Sequence, residues 1–143
     1  MEKVFFNLIV EDDYPPVSSE SVWGEKTASD TFIVKNIPFY SRDACLHDEV
    51  AIIAGADGEH LFDKVVTSSG NSAIRIIFFA EGVPHISPVL DSLVNIGCKW
   101  EGMSKKFFSI NIPAEVSFDE AIDLLAEGKA KDWLDFEYGL VRQ

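Results

Sequence analysis

The chain has 143 residues, 12 basic and 24 acidic, for a net charge of −12, and 47% of it is hydrophobic. That apolar fraction provides a core able to bury roughly two thirds of the unfolded surface, which excludes wholesale disorder. The negative field disfavours nucleic acid and anionic lipid as partners, and no apolar run approaches the ~20 residues of a membrane-spanning helix.

The first half reads as short strands at close spacing. Val4–Val10 is apolar with one interruption and predicts a strand. Glu11-Asp12-Asp13-Tyr14-Pro15-Pro16 follows as a loop, three acids beside an aromatic, with the prolines favouring extended backbone. Further strands are expected over Ser18–Lys26, Thr31–Lys35, Asp48–Ala54 and His60–Thr67. Turns fall at Ser29-Asp30 and Gly55–Glu59, and a polar loop at Ser41–His47. This pattern predicts a small antiparallel β-barrel or meander over residues 1–71.

Residues 72–143 predict strand, helix, strand, strand, helix, strand. The first strand, Ala73–Phe79, is almost continuously apolar, with Arg75 as its one charge. Pro84 is expected to break the chain. Ile86, Val89, Leu90, Leu93, Val94 and Ile96 then form one helical face, with Ser87 as N-cap, Pro88 at the first helical position and Gly97 as the left-handed stop. Strands follow at Cys98–Glu101 and Lys106–Ile112 around a turn at Gly102–Lys105. Ser117-Phe118-Asp119-Glu120 is a capping box opening the second helix, which Gly128 is expected to end. The last strand is Leu134–Leu140. This order is that of the ferredoxin-like split βαβ unit, four antiparallel strands with both helices on one face. The fold class is therefore α+β, a barrel-like half followed by a ferredoxin-like half, packed as one unit.

Motifs for chemistry are sparse. His47, His60 and His85 lie in separate segments, and no His-Glu-x-x-His, Cys-x-x-Cys, nucleophile elbow or dinucleotide fingerprint occurs, so neither metal nor cofactor is expected. Cys45 and Cys98 read as reduced thiols. The N-terminus lacks the basic region and apolar segment of a signal peptide, so a cytoplasmic location is expected. Ser69, Gly70, Asn71, Ser72 and Arg75 combine close backbone approach, donors and a guanidinium, a candidate anion site where the halves join. The plainer reading of that stretch is a polar turn that satisfies its own backbone.

Val22-Trp23, Asn36-Ile37-Pro38-Phe39-Tyr40, Asp48-Glu49-Val50, Ser69-Gly70-Asn71-Ser72, Leu93–Cys98, Asn111-Ile112-Pro113 and Trp133-x-x-Phe136-Glu137-Tyr138 appear in the order seen in an uncharacterised bacterial domain-of-unknown-function family, which the chain resembles over roughly Ser21 to Gly139. The resemblance implies a fold and no established reaction. By analogy of composition alone, the chain is also similar to bacterial immunity proteins, which neutralise toxins that are often basic nucleases. Residues 1–70 carry 13 acids and 5 bases, and residues 71–143 carry 11 and 7. The leading expectation is therefore a non-enzymatic module that binds a basic protein through Glu11, Asp12, Asp13, Asp43, Asp48, Glu49, Asp57 and Glu59. The alternative is a small-molecule-binding or enzymatic domain at Ser69, Asn71, Ser72 and Arg75.

Overall fold

A computed structural model describes all residues, Met1 to Gln143. The chain forms two compact units, Met1–Ser69 and Gly70–Gln143.

The first unit is a closed barrel of five strands: β1 (Glu2–Asn7), β2 (Ser19–Lys26), β3 (Phe32–Val34), β4 (Glu49–Ala54) and β5 (His60–Thr67). Neighbours in sequence pair antiparallel, and β1 closes the barrel by pairing parallel to β5 at Val4–His60 and Phe5–Leu61. Closure follows from alternation. Val4 and Phe6, Val22, Phe32 and Val34, and Val50 point inward and are buried, with Ile52, Phe62 and Val65 packed against them. Register shifts at Glu49/Val50 and Ala51/Ile52 bend β4 against β5, the local coiling that closing so small a barrel requires.

The second unit is a four-stranded sheet with two helices. Its strands are β6 (Ser72–Phe78), β7 (Lys99–Gly102), β8 (Phe107–Ile112) and β9 (Leu134–Tyr138), ordered β7-β8-β6-β9 with every neighbour antiparallel. The helices are α1 (Ile86–Asn95) and α2 (Phe118–Ala130). Ile74, Ile76 and Phe78 of β6 and Phe108, Ile110 and Ile112 of β8 share one core with Leu90 and Leu93 of α1 and Ala121 and Leu125 of α2, so both helices cover the same sheet face.

Three expected element boundaries move. Pro84 does not break the chain; it lies inside a 3-10 turn, Ala80–His85, that leads directly into α1. The helix consequently starts at Ile86 with His85 at the N-cap position and no side-chain cap, and Ser87 falls inside it. Gly128 does not end α2. It is buried within the helix, where a β-carbon would meet Leu134 Cδ2 at 2.8 Å, so its role is close packing against β9. The left-handed position after α2 is taken by Asp132 (φ 59°), while Gly97 (φ 109°) fills that position after α1 as expected. The α2 start conforms: Ser117 accepts from the Glu120 amide at 3.2 Å.

Candidate interaction surface

Since β1, β3 and β5 run one way and β2 and β4 the other, the barrel has two distinct ends. The β1–β2 and β3–β4 connections, residues 8–18 and 35–48, leave from one end, and the β2–β3 and β4–β5 turns from the other.

The 8–18 connection is an exposed arm. Past the Leu8 amide, which donates to Ser18 O at 2.9 Å, the chain reverses in a two-residue turn. The amides of Glu11 and Tyr14 each donate to the other's carbonyl at 2.9 Å, with Asp12 (φ 52°) and Asp13 (φ 62°) both left-handed. That is a type I′ turn, whose geometry suits the twist of a hairpin. The Tyr14–Pro15 peptide is cis. Glu11, Asp12 and Asp13 are all exposed, and so are Ile9, Val10, Tyr14 and Val17, with Ile9 82% accessible. Aspartate tolerates the left-handed region less well than glycine. Asp13→Gly, which creates the Asp-Gly pair favoured in such turns, is expected to stabilise the protein by about 0.5–1 kcal/mol. An increased urea midpoint at unchanged m-value is the measurement, and a decrease would show that the Asp13 carboxylate itself supports the fold.

The 35–48 connection runs fourteen residues without regular structure, yet two carboxylates fix it. Glu20, two residues before inward-facing Val22 on β2, accepts from three successive amides: Phe39 at 2.6 Å, Tyr40 at 3.1 Å and Ser41 at 2.8 Å. Trp23 N donates to Asn36 Oδ1 at 2.7 Å. At the far shoulder Asp48, fully buried, accepts from Cys45 N at 2.9 Å and from both the amide and the hydroxyl of Ser69 at 2.8 Å. The Asn36–Tyr40, Asp48 and Ser69 stretches that suggested a family thus act as the ties of one loop. Tyr14 meets Tyr40 edge to face at 6.1 Å, joining the arm to that loop.

These positions redistribute the eight acids. Glu11, Asp12, Asp13 and Asp43 are exposed at the end bearing the arm. Asp57 and Glu59 lie in the β4–β5 turn at the opposite end, so no single contact patch on the barrel unites all eight. Glu49 is half-buried and accepts from Thr31 Oγ1 at 2.6 Å and Thr67 Oγ1 at 3.3 Å. Asp48 is corrected outright: its carboxylate is inside, so it cannot be a surface contact.

The anion-site residues divide as well. Both Ser69 donors go to Asp48 within the barrel unit. In the second unit Ser72 Oγ accepts from Arg142 N at 2.8 Å, and Asn71 O from Arg142 Nη1 at 3.4 Å. Arg75 is 2% exposed, on the sheet face opposite the helices. Its cross-strand neighbours are Glu137 on β9 and Ser109 on β8, and Ser109 in turn faces Glu101 on β7. Gly139 leaves room for the guanidinium, because a β-carbon there would collide with Arg75 Nη1 and lie 2.9 Å from Cζ. Two rows of this face are buried polar: Arg75 and Ser109 in one, Asn111 in the next. The sequence marked Arg75 through its isolated charge but gave no signal for Ser109 or Asn111, because polar residues alternating with apolar ones on β8 read equally well as solvated.

The thiols and histidines do not converge. Cys45 and Cys98 are free and buried. Burial pushes the Cys98 thiol up to about 11 from 9.0, and nearby Glu120 adds to the shift. The folded state therefore favours the neutral thiol. That contribution to stability is complete below the ordinary value and is lost as pH rises from about 9 through about 11. The urea midpoint of wild type is expected to fall more over that range than that of Cys98→Ala; parallel curves would refute the assignment. His60 Nε2 sits 2.9 Å from Glu2 Oε1 and that hydrogen bond holds the Glu2 carboxyl below its usual range, while His85 stacks on Trp133 with ring centroids 3.6 Å apart. No group of three His, Cys, Asp or Glu side chains could hold a metal ion.

Residues 20–136 match the family DUF4265, described as a domain of unknown function. The structure is similar to a crystal structure of a hypothetical protein from Neisseria gonorrhoeae, with a TM-score of 0.82 and 19% identity over 99% of this chain and 96% of that one. At that identity the likeness concerns the fold. Comparison with curated proteins finds no match.

Proposed function

The chain belongs to the DUF4265 family, and from that premise we propose that it is a non-enzymatic, cytoplasmic protein-binding module, in its most concrete form an immunity protein that masks a basic toxin. The observation that carries this reading is the 8–18 arm. It presents three consecutive exposed carboxylates on a turn, flanked by exposed Ile9, Val10 and Val17. Apolar side chains supply contact area, and carboxylates around them select a basic partner and accelerate encounter. Asp43 extends the acidic surface from the neighbouring connection. The same proposal takes the second unit as a ferredoxin-like split βαβ: the order β7-β8-β6-β9, with both helices on one face, is the arrangement that two right-handed crossovers generate.

The test compares wild type with the neutralised arm E11Q/D12N/D13N, in which asparagine preserves the left-handed turn. Each is tagged and used to capture proteins from a lysate of its own organism at low and high salt. Expected is one stoichiometric basic partner, lost at high salt and lost with the neutralised arm, toxic when expressed alone and silent with the wild-type chain. Equal capture by both proteins would remove the arm from the interface, and a captured partner without toxicity would remove the immunity reading.

A further inference from the structure

The turn between β4 and β5 carries a self-reactive pair of residues. Gly58 N donates to Gly55 O at 3.0 Å and Gly55 N to Glu59 O at 2.8 Å, with Gly58 left-handed at φ 78°. That is a type I turn closed by a glycine bulge, and Asp57 is its third residue. Asp57 and Gly58 are both exposed, and a β-carbon built on Gly58 would meet nothing within 4 Å.

An aspartate followed by glycine can cyclise. The nitrogen of the next residue bonds to the aspartate Cγ, the Cγ–OH bond of the neutral carboxyl breaks, and the hydroxyl leaves with the amide proton as water. Water then opens the resulting succinimide at one of its two carbonyls. Opening at Cγ restores aspartate. Opening at the main-chain carbonyl leaves the backbone running through Cγ, as isoaspartate with a free α-carboxylate. A β-carbon on the following residue obstructs the approach, and glycine alone lacks one. Gly58 is the only glycine in the chain that follows an aspartate or an asparagine. The nearest rival is Asn71, followed by small Ser72, but Asn71 is buried and Ser72 is paired with Ile112 inside the sheet of the second unit. The fold also leaves the Gly58 nitrogen within reach. Its one backbone tie is the bond to Gly55 O, and beyond Val50 strand β4 pairs with β5 alone, so the turn opens without unzipping the rest of the barrel.

We propose that Asp57-Gly58 is the site at which this protein spontaneously forms isoaspartate, and so the position on which an isoaspartyl-directed methyltransferase acts. Such an enzyme moves a methyl group from the sulfonium of S-adenosylmethionine to the α-carboxylate oxygen. Gly58 N then displaces methanol from the ester, which re-forms the succinimide and returns part of the chain to aspartate. The change bears on the fold, because the turn sets the Ala54–His60 register and His60 also pairs with Val4 where β1 closes the barrel.

Ageing the full chain in neutral buffer at physiological temperature tests this. Samples are treated with an isoaspartyl methyltransferase and methyl-labelled S-adenosylmethionine, then mapped by peptide mass spectrometry with electron-transfer fragmentation. Expected is a label that grows with time, with more at residue 57 than at all other positions together. Asp57→Glu should remove it, since the longer side chain would have to close a less favoured six-membered ring. Gly58→Asn tolerates the left-handed backbone but adds a β-carbon, and should cut the label at 57 severalfold. Label placed mainly elsewhere, or label at 57 undiminished in Gly58→Asn, would overturn the proposal. So would a chain that stays unlabelled while a peptide of residues 52–62 gains label in the same buffer.

Discussion

Asp48→Ala should cost about 3–5 kcal/mol of folding free energy, a large share of the stability of a small domain. The carboxylate is fully buried and takes three hydrogen bonds, from Cys45 N, Ser69 N and Ser69 Oγ. Removing it strands two backbone amides and a hydroxyl, and buried donors without partners cost more than the bonds contributed net. Two milder variants separate the contributions. Ser69→Ala removes only the hydroxyl donor and should cost about 1 kcal/mol. Asp48→Asn keeps the shape but turns an NH2 group toward an N–H donor, and should fall between the other two. Urea denaturation should rank the losses Asp48→Ala, then Asp48→Asn, then Ser69→Ala. If Asp48→Ala unfolds at the wild-type midpoint, Asp48 is not the tie of the 35–48 connection.

Arg75→Ala should be comparably severe, about 3–5 kcal/mol, for a different reason. Arg75 is among the largest fully buried side chains, and β9 gives up a side chain at Gly139 to accommodate it. Alanine leaves a void where the guanidinium packs against Gly139 and removes the one charge from that buried polar face. Arg75→Met refills most of the volume without the charge, so it should recover part of the loss; Arg75→Lys restores charge but not the planar fork. Denaturant titration of the three variants distinguishes packing from charge: recovery by methionine alone assigns the cost to volume, by lysine alone to charge. Wild-type stability in Arg75→Ala would contradict both.

Most of the architecture was legible in the chain because it rests on local patterns. Short apolar runs bounded by turns located all five barrel strands, and the 3.6-residue spacing of Ile86, Val89, Leu90 and Leu93 located α1. The Ser117 box located the start of α2 because a cap depends on four adjacent residues. The boundaries that failed involve non-local packing. Gly128 was expected to stop a helix by its backbone freedom, whereas Leu134 of β9 demands its lack of a side chain. Ser87 yielded the N-cap position to His85 because a 3-10 turn delivers the chain to the helix two residues earlier.

The candidate surface was legible only in part. Glu11, Asp12 and Asp13 could be placed on an exposed turn from composition alone, since three consecutive acids beside two prolines resist burial. Asp48 could not be separated from them, because an acid's fate depends on donors far along the chain, here Ser69. Nor could the distance between the Asp13 and Asp57 ends be read, since it follows from which strands pair. The order of strands and helices, the excess of acid over base and the absence of familiar catalytic motifs could be read from the chain alone, since all are properties of neighbouring residues or of sums. Which carboxylates reach solvent, which of them tie loops, and that Arg75 lies inside became visible in the folded chain alone. Burial and pairing are set by residues distant in the chain, and local pattern carries no record of them.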